Sequence, residues 1–384
     1  MIKKIGVLGS TGSIGTTLLK LINNDEFEIK FLSANKNYKK LLNQAKKFNV
    51  KNLIITNHES FNSAKIFNKD KTIKIYNNFE ILNKIVNNKL DYVMSSIVGI
   101  DGLKPTFTII KFTKKIAIAN KESLICAWPL IRRELNKHET KFIPVDSEHF
   151  TIWSELKNTH KKNIKKIYLT ASGGPLLNIG TKKLKNIKMK TILKHPTWNM
   201  GKKISVDSAT MMNKLYEVIE AKNIFDLNYN QIDILIHPNS YAHSIIVYTN
   251  GIIKIILHDT TMKIPIFNSL FENNKIIKLP KVIDINKMNN LNFQKINNNK
   301  FPVLNLFKII PHSFSLFETL LVSINDLVVD KYLNKKISFV DISKFIIKLT
   351  NLKQFQKYKK IYPKNINEII NLNKKLSLKI SKLI

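Results

Sequence analysis

Cysteine is nearly absent: Cys126 stands alone in 384 residues. One thiol excludes a disulfide framework and a cysteine-ligated metal site. No run of 18 apolar residues occurs, so the sequence supports no membrane span. Met1-Ile-Lys-Lys-Ile-Gly6 enters a strand pattern directly, without a signal-peptide core or an Arg-rich transit segment. A cytoplasmic protein without a membrane partner is expected. Arginine is also scarce. Arg132 and Arg133 are its two occurrences among 63 basic residues, although arginine is the better fork for phosphate. The net charge of +36 comes from lysines spread along the whole chain, beside abundant Asn and Ile. That spread reads as compositional bias at tolerant surface positions. Without a clustered basic arm or a recognised motif, nucleic acid is not expected as a partner. No internal repeat is visible, and tracts such as Asn297–Lys300 read as low-complexity surface.

What is present fits a globular chain of two or three domains, with 44% hydrophobic residues. It opens with an apolar strand, a turn holding Gly9, Gly12 and Gly15, and an amphipathic segment through Leu18, Leu19 and Ile22. Such a turn lets a pyrophosphate approach the backbone and sit on the helix N-terminus. The second strand ends in Ala34-Asn-Lys-Asn-Tyr-Lys-Lys40. An NAD site usually offers an acid there. Lys36, Lys39 and Lys40 favour NADP, whose 2′-phosphate wants a cation. Strand patterns at Leu53–Thr56, Thr72–Tyr76, Tyr92–Ser95 and Lys115–Ala119 alternate with helical ones. This alternation predicts a doubly wound parallel sheet of Rossmann type, with ligands beyond its carboxyl edge. Ser95–Gly99 and Asn120-Lys-Glu-Ser123 lie at such ends.

Beyond residue 150 the rhythm changes. Ile164–Thr170 is a predicted strand entering Ala171-Ser-Gly-Gly-Pro175, a loop able to offer a hydroxyl and backbone N–H groups to an anion. His195-Pro-Thr-Trp-Asn-Met-Gly-Lys-Lys203 suits a lid, or a loop packing its tryptophan on the core. Ile232–His237 and a hairpin turning at Asn250-Gly251 predict a mixed or antiparallel second sheet. Residues 280–311 read as a connection, and helical patterns from Ser313 to Leu383 as a small C-terminal domain. The expected divisions are 1–150, 151–285, a linker 286–311, and 312–384.

Two stretches carry the chemistry. Ile143-Pro-Val-Asp-Ser-Glu-His149 reads as a strand running out into Asp146 and Glu148, on one side of extended backbone. Asp207–Glu217 reads as one helix with Ser208 near its start and Asn213, Lys214 and Glu217 on one face. The acids are either solvated surface or a set suited to Mg²⁺ or Mn²⁺.

Leu8–Gly15, Ala119–Leu124, Pro144–His149, Ser172–Pro175, His195–Trp198, Gly201–Lys214 and Ile236–Pro238 together resemble the 1-deoxy-D-xylulose 5-phosphate reductoisomerase family. The match runs from residue 2 to about 270 in the family's order and spacing; the C-terminal third is similar in helical pattern alone. The resemblance implies an NADPH-dependent rearrangement and reduction of a phosphorylated sugar in non-mevalonate isoprenoid biosynthesis, by a homodimer. It implies a Mg²⁺ or Mn²⁺ ion on Asp146, Glu148 and Glu217. It implies substrate contacts from Lys121, Ser147, Glu148, Ser172, His195, Trp198, Ser208, Asn213, Lys214 and Glu217, with Lys121, Glu148, His195 and Glu217 as the catalytic set. Cofactor contacts are implied for Thr11, Gly12, Ser13, Ile14, Asn35, Lys36, Asn37, Asn120, Glu122 and Gly201, and a flap for Trp198 and Met200.

The chain departs from the family pattern at four places. Asn35 and Ala171 replace usual glycines, Leu215-Tyr216 stands where Gly-Leu is usual, and Thr260-Thr261 lacks a proline. None removes a chemical group. Two other readings compete. A semialdehyde-type NADP dehydrogenase would need Cys126 as nucleophile. An inactive NADP-binding scaffold would keep the fold without turnover.

Overall fold

The computed structural model describes residues 2–157, 161–271 and 284–384. These divide into two compact units, one of Met1–Ser123, Leu130–Asp146 and Met262–Ile277, the other of Leu124–Pro129, Ser147–Thr261 and Lys278–Ile384.

The first unit is built on seven strands: β1 (Lys3–Leu8), β2 (Phe27–Ala34), β3 (Asn52–Ile55), β4 (Lys74–Tyr76), β5 (Tyr92–Ser95), β6 (Lys115–Ile118) and β7 (Lys141–Pro144). All pairings are parallel, in the order β4-β3-β2-β1-β5-β6-β7. The strands are short apolar runs because both sheet faces are covered. Ile5, Val7, Leu32, Leu53, Ile55, Met94 and Ala117 pack with Leu18, Leu19, Leu41 and Leu42 of the first two helices. Ile266, Phe267 and Leu270 of a late helix, Lys263–Leu270, join the same core. Each fully buried Leu or Ile there contributes roughly 1.5–3 kcal/mol. Strand order reverses between β1 and β5, which is where a doubly wound sheet opens its crevice. The expected Rossmann-like sheet is therefore present.

The second unit holds β8 (Ile164–Ala171), β9 (Ile232–Ile236), β10 (Ala242–Tyr248), β11 (Ile253–Leu257) and β12 (Gln294–Lys295), ordered β11-β10-β8-β9-β12. β8 and β9 are parallel and the other pairs antiparallel, so the sheet is mixed as expected. Gly251 turns the β10–β11 hairpin at φ +88°. β12 lies within the stretch read as a connection, where it lengthens the sheet. Three helices, Phe317–Leu333, Phe339–Thr350 and Ile366–Ile380, form the C-terminal bundle around Leu320, Ile324, Ile346 and Leu376. Among the described residues no helix is long and apolar enough to cross a membrane.

Two local expectations change. Asp207–Glu217 is not one helix. It is the end of Lys202–Thr210 and the start of Met212–Phe225, joined at Met211 in the left-handed region with φ 67°. Ser208 therefore lies in a last turn rather than near a helix start. The acids do not share extended backbone either. β7 stops at Pro144, and Glu148 falls in the first turn of the helix Ser147–Leu156.

Candidate active site

The first unit places its polar residues where its strands end. Gly9 follows β1 at φ +83°, and a Cβ there would lie 2.8 Å from the carbonyl oxygen of Ser96. At Gly15 a Cβ would meet the Gly9 oxygen and the Ser10 Cα at 2.5 Å. Glycine is thus required for the turn to fold back on itself, with Gly12 capping the first helix and Thr11, Ser13 and Ile14 beside it. The three lysines after β2 are not equivalent. Lys40 donates to the Thr11 carbonyl at 2.9 Å and to Thr16 Oγ1 at 2.8 Å, so it braces the glycine turn. Lys36 and Lys39 are exposed. Asn37 caps the helix Tyr38–Phe48, and Asn35 donates to Thr56 Oγ1 at 2.8 Å. Asn35 is not among the residues with positive φ, so the departure from glycine needs no left-handed backbone. Asn120 is buried beyond β6, accepts from Ser123 N–H at 2.6 Å and donates to the Gly99 carbonyl at 2.8 Å. Glu122 is buried in the next turn. Lys121, also buried, pairs with Asp146 at 2.6 Å beyond β7.

The second unit converges on Lys214. Its ammonium donates to Glu148 Oε1 at 2.6 Å, to the Thr170 carbonyl of β8 at 2.5 Å, and to Glu217 Oε2. Only 4% of Lys214 is exposed. Burial disfavours its charge, but Glu148 and Glu217 more than compensate and hold its pKa above the usual lysine range. Asn213 donates to the other Glu217 oxygen at 2.5 Å, and Ser147 to Glu148 Oε2 at 2.5 Å. His149, fully buried, donates through Nε2 to the Glu217 carbonyl at 2.9 Å and so ties the Glu148 helix to the Glu217 helix. Leu215 is buried on a different face from Lys214, in the core; its bulk does not compete for the polar side.

A second cluster surrounds Ser172. His195 Nδ1 accepts from the N–H groups of Thr197 and Trp198, at 3.2 and 3.0 Å. The ring proton is therefore on Nε2, which donates to Ser172 Oγ at 3.0 Å. Gly174 N–H donates to the same oxygen at 3.0 Å. Ser172 thus accepts twice and keeps its own proton to donate. A Cβ on Gly174 would lie 3.1 Å from the Ser208 carbonyl, so this loop and the Ser208 turn approach closely. Gly201 caps the helix that carries Ser208.

Sequence reasoning missed His243 and His258. Their rings stack at 3.7 Å, and Trp198 meets His243 edge-on at 6.2 Å. Burial, reinforced by His258, holds His243 down at about 3. No local spacing announces this pair, and the Thr170 carbonyl carries no side-chain signal at all.

Three family profiles match the chain: 1-deoxy-D-xylulose 5-phosphate reductoisomerase at residues 5–128, and two C-terminal domains of that reductoisomerase at 142–225 and 257–377. The 1-deoxy-D-xylulose 5-phosphate reductoisomerase of Pelagibacter ubique is 56% identical, covering 99% of either chain. A crystal structure of DOX-P reductoisomerase with NADPH, fosmidomycin and magnesium superposes with TM-score 0.91 at 31% identity, covering 100% of this chain and 98% of that one. The Zymomonas mobilis enzyme in complex with NADPH gives 0.86 at 30% identity, covering 100% and 99%.

Burial lowers the His195 pKa to about 4, below the value of about 6.5 of an unfolded chain. Between these values the unfolded chain binds more protons. The stability that neutral His195 contributes is complete above about pH 6.5 and is lost as pH falls toward 4. An NMR titration of the imidazole is expected to show a midpoint near the lower figure; a midpoint at the unperturbed value contradicts the burial of this ring in the folded protein.

Proposed function

The chain belongs to the 1-deoxy-D-xylulose 5-phosphate reductoisomerase family, and from that premise we propose that it converts 1-deoxy-D-xylulose 5-phosphate to 2-C-methyl-D-erythritol 4-phosphate. It does so with NADPH and a divalent metal, as a cytoplasmic enzyme of non-mevalonate isoprenoid biosynthesis. The observation that carries this reading is Lys214 held between Glu148 and Glu217. Two carboxylates drawn together around one cation, with further oxygen donors and no thiol, fit a hard ion such as Mg²⁺ or Mn²⁺. Glu148, Glu217 and Asp146, two residues before Glu148 in the chain, would hold it. When bound, the ion polarises the carbonyl and neighbouring hydroxyl oxygens of the substrate. The glycine turn likewise fits a pyrophosphate, since a Cβ at Gly9 or Gly15 would fill the space that lets the turn close. We assign Thr11, Gly12, Ser13, Ile14, Asn35, Lys36, Asn37, Asn120, Glu122 and Gly201 to NADPH, which supplies the hydride.

The chain's own residues divide the remaining work. Ser172, with both lone pairs engaged, donates its proton to a phosphate oxygen. Ser208 and Asn213 supply the other donors, and the Lys214 ammonium the charge, that a dianion needs. His195 stays neutral, orients Ser172, and meets the sugar with Lys121 and Ser147. Trp198 and Met200 cover the site and exclude water from the aldehyde. Along the chain, 1–150 serves the cofactor, 151–285 the metal, phosphate and flap, 286–311 connects, and 312–384 is the helical end. Cys126 is fully buried inside the helix Lys121–Lys137, which argues against the semialdehyde dehydrogenase reading.

The second proposal is a homodimer. Among the described residues β11 has a strand neighbour on one side alone, and Ile253 and Ile255 on it are 61% and 40% exposed. An open edge with apolar side chains pairs readily with a second copy.

Purified protein with NADPH, Mg²⁺ and 1-deoxy-D-xylulose 5-phosphate is expected to consume NADPH, to stop with EDTA and to resume with added Mg²⁺. Glu217→Gln is expected to lower kcat by about a hundredfold or more with NADPH affinity retained. Turnover that survives complete metal removal, or loss of NADPH binding in this variant, contradicts the assignment. In sedimentation the protein is expected to run as a dimer and Ile253→Lys as a monomer; a monomeric parent protein ends the dimer proposal.

A further inference from the structure

The C-terminal helix Phe317–Leu333 reaches the residue that precedes Ser208. Asn325, fully buried in the middle of that helix, donates through Nδ2 to Asp207 Oδ1 at 2.8 Å. Asp207 is itself 3% exposed. Lys203, one turn earlier on the same helix as Asp207, bridges Asp207 Oδ2 at 3.3 Å and Asp326 Oδ1 at 3.0 Å. Its ammonium stands 5.7 Å from the ring centroid of Tyr216, the neighbour of Glu217. Three helices therefore meet at the Asp207–Lys203 pair: the helix carrying both, a C-terminal helix through Asn325 and Asp326, and the helix carrying Lys214 and Glu217 through the Tyr216 ring beside Lys203.

A buried carboxylate is tolerated where an amide and a cation satisfy it, and its geometry is then narrowly set. Asp207 offers its two oxygens to two different partners, so both the rotation and the position of its helix are held. Ser208 is the next residue, and Gly201–Lys203 is where the flap segment ends.

We propose that Asn325 and Asp326 are positioning residues for phosphate recognition: they clamp Asp207 and Lys203 and thereby aim the Ser208 turn. This rests on the reading that Ser208 faces the substrate phosphate.

The test compares the parent protein with Asn325→Asp, which sets two carboxylates against each other, and with the swap Asp207→Asn/Asn325→Asp, which restores an amide–carboxylate bond. Asn325→Asp is expected to raise KM for 1-deoxy-D-xylulose 5-phosphate and Ki for inorganic phosphate together, by about tenfold. NADPH affinity is expected to stay within about twofold, and the swap to recover most of the loss. A melting temperature that falls while KM and phosphate Ki hold overturns the proposal, because the clamp is then structural alone. If Asn325→Asp does not fold, Asp326→Asn keeps the Asn325–Asp207 bond and removes one partner of Lys203. It is expected to raise both constants by about threefold, and unchanged constants overturn the proposal. A parent protein without turnover counts against the family activity instead, and phosphate binding followed by calorimetry then still decides the clamp.

Discussion

A lysine buried between two glutamates is the constraint on which the second unit depends. Without Lys214, Glu148 and Glu217 would be carboxylates brought together out of water, and breaking such a group by removing one partner typically costs about 3–5 kcal/mol. With it, three separate elements are joined: the strand β8 through the Thr170 carbonyl, the helix Ser147–Leu156 through Glu148, and the helix Met212–Phe225 through Lys214 itself. His149 repeats the link between the two helices through the Glu217 carbonyl. The ion group and the sheet thus support each other.

The same residue shows how lysines that serve the acid group differ from most others. Lysine is so abundant here that its presence at a motif says little. Burial is the discriminator: among the described residues, Lys121 and Lys214 are the two lysines in the buried set, and either one pairs with an acid of the proposed metal set. Most of the remaining lysines simply carry charge where water tolerates it; exposed Lys36, assigned to NADPH, and partly buried Lys203, which bridges Asp207 and Asp326, are exceptions. Lys40 shows a third use, bracing the glycine turn by hydrogen bonds rather than meeting a ligand.

Much of this was legible in the chain. Short apolar runs between helical segments announced the parallel sheet, and Gly9, Gly12 and Gly15 announced its ligand edge. The break at Met211 was not, because Ala-Thr-Met-Met contains neither glycine nor proline to mark a helix end. The joint is set by Met211 N–H on the Ser208 carbonyl and Met212 N–H on Thr210 Oγ1. The helix at Glu148 has a local signal: Asp-Ser-Glu after a strand is a helix-start pattern, with an acid in the first turn, and it outweighs the extended reading of Asp146 and Glu148. Asn325 and Asp207 are 118 residues apart, and no local pattern pairs residues at that distance.

Lys214 is proposed to serve the reaction as well as the fold. The direct measurement is kcat/KM of Lys214→Met at saturating Mg²⁺, with NADPH affinity as the check on folding. A fall of about a hundredfold or more with NADPH still bound is the result expected for a charge that meets the substrate phosphate. Retained kcat/KM would contradict it and leave Lys214 as a structural cation between two acids.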